Sequence, residues 1–451
     1  MIFNPITDIV DVAVIGAGGA GLLAGLAAAR SGVRTVLYER MKVPARKVAI
    51  SGGGRCNFSN TLDPRQFVRL FGDKNASMLG HALRAFSREQ LVTMLAQHGV
   101  EGQVERNYRL YTKSGRGGDV VKALTSEFQK AGGILVTQAY IESVQHEPRV
   151  PSSASTGGVK RYVLEGKFGG IDERHRALNV VVCTGGLSYP VTGSTGDGYD
   201  WARKFGHKVT QLRPALVGLV VEEAWTRSLQ GLAWPDAQVA LYAPGSTDRT
   251  KPLCTERAEI LFTHFGISGP AILDVSNAFV SSGIQKGRLA IDYFPDIRRE
   301  DLDKQILERF KQFPQRTVGR ALDGLLPNRL LEYIEKSLGP QGETAVCRLP
   351  KQVRSRLLDY LKNTTMTVSG TRGMEFGEVT AGGISWESID PSTLESKLSP
   401  GLFFAGEILD LTGRCGGFNL QAAFSTGYLA GQQAAERAQA QRNEEKSQLK
   451  I

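Results

Sequence analysis

The stretch DVAVIGAGGAGLLAGLAAARSGVRTVLYE, residues 11–39, constrains the fold more tightly than any other part of this chain. Val12, Val14 and Ile15 form a short apolar run of the kind a buried parallel strand requires. Gly16-Ala17-Gly18-Gly19-Ala20-Gly21 follows as a GxGxxG, and each glycine has its own task. Gly16 permits the tight turn, Gly18 lets the main chain approach a pyrophosphate at a helix N-terminus, and Gly21 allows close helix–strand packing. Small residues (Ala24, Gly25, Ala27, Ala28, Ala29) let the next helix lie flat on a sheet, Gly32 ends it, and Thr35 to Leu37 read as the second strand. Glu39 closes the unit, because a carboxylate at that strand end accepts ribose hydroxyls and repels a 2′-phosphate. The motif predicts a dinucleotide site without separating NAD from FAD.

Three later stretches have the same strand-then-glycine form. Ala45 to Asn60 contains Ser51-Gly52-Gly53-Gly54-Arg55-Cys56-Asn57 and reads as a backbone-exposing loop, suited to a flat or anionic group, with an ordinary turn as the alternative. Asn179 to Cys183 is an apolar strand running into Thr184-Gly185-Gly186, and Gly401 to Phe404 is another running into Ala405-Gly406-Glu407. Such strand ends lie where open parallel sheets bind ligands. Beyond Gly413-Arg414-Cys415-Gly416-Gly417, an apolar helix over 422–432 places its N-terminus toward the sheet, where its dipole favours negative charge. Residues 62–98 read as packing helices, Tyr108 to Tyr111 as a short strand, Asp119 to Lys130 as a helix, and Pro148 to Lys160 as a loop between strands.

From about Lys208 the pattern changes to alternating strands (Leu216 to Val221, Gln238 to Tyr242, Leu289 to Tyr293), as in an antiparallel β domain. Residues 299–363 carry helical spacing, with Leu302, Ile306 and Phe310 four apart. The expected architecture is therefore α/β: a Rossmann-like domain from residues 1–205 and 381–440, a barrel-like antiparallel domain from 206–298 and 364–380, a helical insert over 299–363, and a mobile polar tail over 441–451.

At 451 residues and 41% hydrophobic content the chain can bury full cores for two or three domains. No segment approaches the roughly 20 apolar residues of a membrane span, and a strand starting near Ile9 leaves no room for a leader, so a cytoplasmic location is expected. Five cysteines, widely spaced and without a CxxC, indicate neither a disulfide framework nor a metal site. The formal charge is +10, and seven basic residues (Arg30, Arg34, Arg40, Lys42, Arg46, Lys47, Arg55) stand against Glu39 beside the expected site. An anionic cofactor accounts for much of that cluster. No RRM, KH or zinc-knuckle pattern supports nucleic-acid recognition.

Taken together, residues 16–39, 184–186 and 404–407 resemble the glutathione-reductase-like FAD superfamily. More specifically, ISGGGRCNFSN (50–60), LFTHFGISGPAIL (261–273), VTAGGI (379–384) and GLFFAGEILDLTGRCGGFNLQAAFSTGYLAG (401–431) resemble the bacterial flavoprotein family that includes BaiN-type reductases and aminoacetone oxidase. The resemblance implies FAD, held by Gly16, Ala17, Gly18, Gly19, Ala20, Gly21, Glu39 and Arg40 at its adenosine and pyrophosphate end. It implies Arg55, Cys56 and Asn57 near the flavin, Thr184, Gly185 and Gly186 beside the ADP portion, and Lys47, Ser51, Gly53, Gly54 and Ile141 as further cofactor-binding residues. It implies Gly406 and Glu407 at the ribityl chain, and Gly417, Phe418, Asn419 and Leu420 at the pyrimidine edge. There a helix N-terminus stabilises the charge that appears on reduction.

The chain departs from the family in having Cys415 and Phe418 where Thr and Tyr are common, so that Gly413-Arg414-Cys415 echoes Gly54-Arg55-Cys56. A thiol pair, Cys56 with Cys415, and His264, which interrupts an apolar run, are the candidate catalytic groups; packing roles are the alternative for all three. The reading is an FAD-dependent oxidoreductase exchanging hydride with a small organic substrate, with NADH or NADPH as transient donor. The alternatives are an amine or aminoketone oxidase and a flavin-binding module associated with RNA or a redox partner.

Overall fold

In the computed structural model, which describes residues 9–147, 161–246 and 250–448, the chain forms two units. Residues 1–213 and 379–451 make the first and residues 214–378 the second. The loop expected over Pro148 to Lys160 lies outside the described residues.

The first unit is built on a seven-stranded sheet. Its parallel part sets Ile134–Thr137, Thr35–Glu39, Ile9–Ile15, Ile171–Val182 and Leu402–Phe404 side by side. Tyr162–Phe168 and Ala139–His146 extend it antiparallel. The central residues Val10, Val12, Val14, Val36, Val180 and Val181 are fully buried, as strands covered on both faces must be. Register decides what this sheet can do. Ile15 pairs with Tyr38 and with Val182, and Val182 pairs with Phe404, so four strands end in step. The next residues continue the pattern: Gly16 N donates to Tyr38 O (2.8 Å), Cys183 N to Ile15 O (2.8 Å) and Ala405 N to Val182 O (3.1 Å).

The helix Gly19–Arg30 crosses the long C-terminal helix Phe418–Gln448 at van der Waals distance because both present small residues. A Cβ on Gly427 would stand 2.1 Å from Ala20 O, and one on Gly431 2.0 Å from Ala24 O. The C-terminal helix also runs through the segment read from sequence as a mobile tail, as far as Gln448. Its polar residues are anchors: Arg437 pairs with Glu395 (3.2 Å), Arg442 with the buried Asp11 (2.6 Å), and Gln441 accepts from Asn179 (2.8 Å). Two short elements, the helix Arg46–Ile50 and the strand Asn57–Asn60, stand where the sequence suggested loop, leaving the turn at Ser51–Arg55 between them.

The second unit is a closed antiparallel barrel of six strands: Leu219–Val221, Gly266–Ser268, Cys254–Thr263, Ala233–Tyr242, Gly287–Asp292 and Thr364–Thr371. Val239, Leu241, Ile260, Phe262 and Ile291 fill it. The helices Arg299–Gln312, Asn328–Ser337 and Lys351–Lys362 bury Leu302, Ile306, Leu330, Ile334 and Leu357 in the same continuous core. A helix at Pro270–Ser282, unread in the sequence, lays Ala271, Ile272, Val275 and Phe279 on the barrel side of that core.

Candidate functional site

The stepped strand ends bring Gly16, Glu39, Thr184 and Gly406 to one edge of the first unit. Gly16 adopts a left-handed φ of 95°, and a Cβ on Gly21 would stand 1.8 Å from Gly16 O, so the turn into the helix closes only with glycine at both positions. Gly18 differs: its φ is −73° and a Cβ there meets no atom within 4 Å. The glycine is required by neither backbone nor packing, which leaves room above the helix N-terminus for a ligand. Leu22 N donates to Gly18 O (3.0 Å), beginning the intrahelical ladder, so the earlier N–H groups of this turn face outward from it.

Glu39 is buried, and its two carboxylate oxygens accept from Ala17 N and Met41 N (2.8 Å each). Burial raises its pKa, and the two N–H bonds oppose that. Each oxygen retains a lone pair for a further donor.

At the neighbouring strand ends, Lys47 reaches Glu407. Its Nζ lies 2.8 Å from Glu407 Oε2 and 2.7 Å from Ser188 Oγ. Ser188 Oγ and Thr380 N both donate to Glu407 Oε1 (2.8 Å each), and Thr380 Oγ1 accepts from Leu187 N and Ser188 N. Gly186 fits only because it lacks a Cβ, which would stand 2.3 Å from Thr380 Oγ1. Ser188 and Thr380 were missed in the sequence. Thr380 lies inside the VTAGGI stretch, and Ser188 follows Thr184-Gly185-Gly186 by two residues, so position alone could have drawn attention to both. Thr184 Oγ1 is buried and has no hydrogen-bond partner among the described residues; it packs beneath Gly198, where a Cβ would stand 2.3 Å from it.

A second cluster joins the two Gly-Arg-Cys loops through the strand Asn57–Asn60. Asn60 Nδ2 donates to Gly416 O (3.0 Å), Ser59 Oγ to Gln421 Oε1 (2.7 Å), and a Cβ on Gly417 would stand 2.1 Å from Ser59 O. Asn57, with its amide oriented to satisfy both ends, accepts from Gly417 N at 3.1 Å. Gly53 and Gly54, at φ 70° and 85°, have open space where a Cβ would be. Ser51 Oγ donates to Val48 O, closing the preceding helix.

Other expected groups sit differently from what a ligand contact by side chain requires. Phe418 is buried against Phe67 and Phe71, and Asn419 is spent on the loop itself, through Gly413 N (2.8 Å) and Gly413 O (3.1 Å). Leu420 is partly buried against the core. Ile141 is buried in the antiparallel extension opposite Gly166, on none of the parallel strands that end at this edge. Neither Cys56 nor Cys415 is in a disulfide; burial pushes the Cys56 thiol up to about 12, and its φ is 54°. His264 lies exposed in the turn between Cys254–Thr263 and Gly266–Ser268, so the apolar run it interrupts is a hairpin.

The basic cluster also reads differently in three dimensions. Arg30 pairs with Glu127, Arg34 with Asp11, Arg40 with Asp197 and Thr195, Lys47 with Glu407, and Arg55 with Glu105 while lying over Tyr111. Each of these five has an acidic partner elsewhere in the chain. No group of histidine, cysteine or carboxylate side chains among the described residues is arranged to hold a metal. No described helix is long and apolar enough to cross a membrane.

A parallel sheet with a glycine turn, a buried acidic residue at the second strand end and an outward-facing helix N-terminus defines a dinucleotide-binding α/β protein, here carrying a six-stranded barrel as its second unit. The chain belongs to the family described as HI0933-like protein Rossmann domain, whose model matches residues 10–433, and the FAD-binding family resemblance read from the motifs holds. It is 29% identical to the ribosomal RNA dihydrouridine synthase of Escherichia coli strain K12, over 94% of this chain and 97% of that protein. It is 28% identical to the 3-dehydro-bile acid delta(4,6)-reductase of Clostridium scindens, over 94% of this chain and 99% of that protein. Among solved structures it shares the fold of the 3-ketosteroid-delta4-(5alpha)-dehydrogenase of Rhodococcus jostii RHA1, with a TM-score of 0.51 and 17% identity over 95% of this chain and 98% of that one.

Proposed function

We propose that this chain is an FAD-dependent reductase of carbon–carbon double bonds conjugated to a carbonyl. The observation that carries the cofactor is Gly18: a glycine that neither backbone nor packing needs, at an outward-facing helix N-terminus beside buried Glu39. Glu39 accepts the ribose hydroxyls, and the N–H groups of the Gly18–Gly21 turn take the pyrophosphate. Lys47 is fixed by Glu407 and Ser188 at the adjoining strand ends. The N-terminus of Phe418–Gln448 favours negative charge where the two Gly-Arg-Cys loops meet. FAD, when bound, supplies hydride transfer at its N5.

The substrate class rests on chemistry common to the relatives' names. A dihydrouridine synthase saturates a uracil double bond, and a delta(4,6)-reductase saturates an oxo-diene; in both, hydride adds to an alkene polarised by a carbonyl. NADH or NADPH serves as a transient donor. Anaerobic reoxidation of the reduced protein tests the reading. A 3-oxo-4-ene steroid or uridine-containing RNA should restore the oxidised flavin spectrum, whereas peroxide formation from amines as the sole turnover would replace the reductase with an oxidase.

One observation favours the RNA-borne substrate. Residues 30–116 contain 16 Lys and Arg against 6 Asp and Glu, so the whole formal excess of +10 falls in this segment. Within it Lys42, Arg65, Arg69, Arg84 and Arg106 are exposed and have no acidic partner among the described residues, and Tyr108 is 58% exposed. Exposed cations and an exposed aromatic ring in one segment suit single-stranded nucleic acid. Binding of rRNA fragments that weakens steeply with salt supports this substrate; salt-independent or absent binding removes it.

A further inference from the structure

Arg372 in the second unit has a setting unlike that of the paired arginines Arg257 and Arg354 of the same unit. It follows the barrel strand Thr364–Thr371, and its backbone N donates to Gly218 O (3.1 Å). Its guanidinium carbon lies 3.5 Å from the Phe376 ring centroid and 4.5 Å from that of Phe265. Phe265 is seated in turn: a Cβ on Gly218 would stand 2.7 Å from its Cε2. The exposed His264 packs edge-on against the same ring, at 5.1 Å and 87°. One glycine thus anchors both the arginine's backbone and the ring beneath it, which holds the guanidinium in place.

The two rings stabilise the cation but offer it no oxygen or nitrogen acceptor. Among the described residues no carboxylate, carbonyl or hydroxyl accepts from the Arg372 side chain. Arg257 and Arg354, in the same unit, instead spend theirs on Asp236, Asp296 and Asp303. A guanidinium held against aromatic faces presents its remaining donors in one plane, and that fork matches two coplanar oxygens. Phe376, 45% exposed, adds an apolar surface beside the fork. We infer that Arg372, Phe265 and Phe376 form a binding site for a carboxylate carried on an apolar or aromatic body. The carboxylate takes the guanidinium edge and the body lies against Phe376. This site stands on the second unit alone and does not depend on the cofactor or the reaction proposed above.

Calorimetric titration of the full-length protein with biphenyl-4-carboxylate, its neutral carboxamide and inorganic phosphate tests the inference. The carboxylate should bind saturably. The carboxamide, lacking the charge-assisted pair, should bind about tenfold more weakly or worse. Phosphate, lacking the apolar body, should also bind more weakly. Arg372→Gln should weaken the carboxylate by about tenfold or more, and Arg372→Lys, which keeps the charge and loses the planar fork, should fail to restore it. Phe376→Ala, at a position 45% exposed, with folding checked by circular dichroism, should weaken the carboxylate several-fold and leave phosphate unchanged. Absence of saturable carboxylate binding to the parent protein, or binding unchanged in folded Arg372→Gln, overturns the site. Equal binding of carboxylate and carboxamide, or no effect of Phe376→Ala, does the same.

Discussion

Lys47 Nζ and Glu407 Oε2 stand 2.8 Å apart although 360 residues separate them, and this contact ties the helix after the second strand to the last strand end of the parallel sheet. Their side chains are only 25% and 18% exposed. Lys47→Met leaves Glu407 without its cation, and loss of a charged hydrogen bond in such a setting costs about 1.5–3 kcal/mol. The double variant Lys47→Met/Glu407→Leu should recover part of that loss. A urea-denaturation double-mutant cycle measures it, and additive losses would mean that the two residues act independently.

Gly18 and Gly21 should respond in opposite ways to alanine. Gly18→Ala meets open space at an ordinary φ, so the apoprotein's stability should change by less than about 0.5 kcal/mol, while FAD affinity falls because the methyl occupies the pyrophosphate position. Gly21→Ala drives a Cβ against Gly16 O and should unfold or strongly destabilise the first unit. Thermal melting of the apoproteins and flavin fluorescence titration separate the two effects. An unchanged FAD affinity in Gly18→Ala would remove that glycine from the site.

The helix crossing offers a paired test. Gly431→Ala gains about 1 kcal/mol of helix propensity but forces the two backbones apart, and overpacking of about 1–3 kcal/mol should make the variant less stable. Gly80, inside the helix Asp73–Ala85, differs: a Cβ there would meet only an Arg84 nitrogen, at 3.5 Å. Alanine at that position should stabilise by about 0.5–1 kcal/mol. Urea unfolding of both variants checks the contrast in sign.

These tests also mark what the sequence made legible. The strand ends were readable because glycine at a turn and a carboxylate after an apolar run leave local signatures, and Gly16, Gly21, Glu39, Thr184 and Gly406 fall at one edge as their patterns implied. The partners of the basic cluster were not readable: Arg40 finds Asp197 and Lys47 finds Glu407 only after the sheet has brought distant segments together. The same holds for the polar end of the last helix, whose Arg442 is placed by Asp11 at the other end of the chain. Burial of Phe418 also escaped the pattern, since an aromatic residue at a helix start reads alike whether it faces a ligand or Phe67.

His207 supplies a pH dependence. Its ring is held between Ser388 Oγ (2.7 Å) and Ser396 Oγ (2.8 Å), and burial lowers its pKa to about 4. Between that value and the usual value near 6.5 the unfolded chain binds the extra proton, so stability rises with pH through this window and is lost as pH falls toward 4. His207→Gln, which keeps hydrogen-bonding groups without titrating, should flatten that part of the profile. Parallel slopes for parent and variant in melting temperature between pH 4 and 6.5 would contradict the assignment.

Cys56 should be inert. A thiol pushed up to about 12 is protonated at neutral pH, so iodoacetamide at pH 7.5 should modify the exposed Cys347 first and leave Cys56 intact in the folded protein. Peptide mass mapping after a short exposure reads the order, and early labelling of Cys56 would restore it as a reactive group.

The flavin content of the purified protein decides whether the strand-end edge is an FAD site. The edge formed by Gly16–Gly21, Glu39, Thr184 and Gly406 predicts one flavin per chain, released on denaturation as FAD rather than FMN, or taken up in that ratio when apoprotein is incubated with FAD. A folded protein that neither carries FAD nor binds it on incubation would mean that this edge holds no FAD.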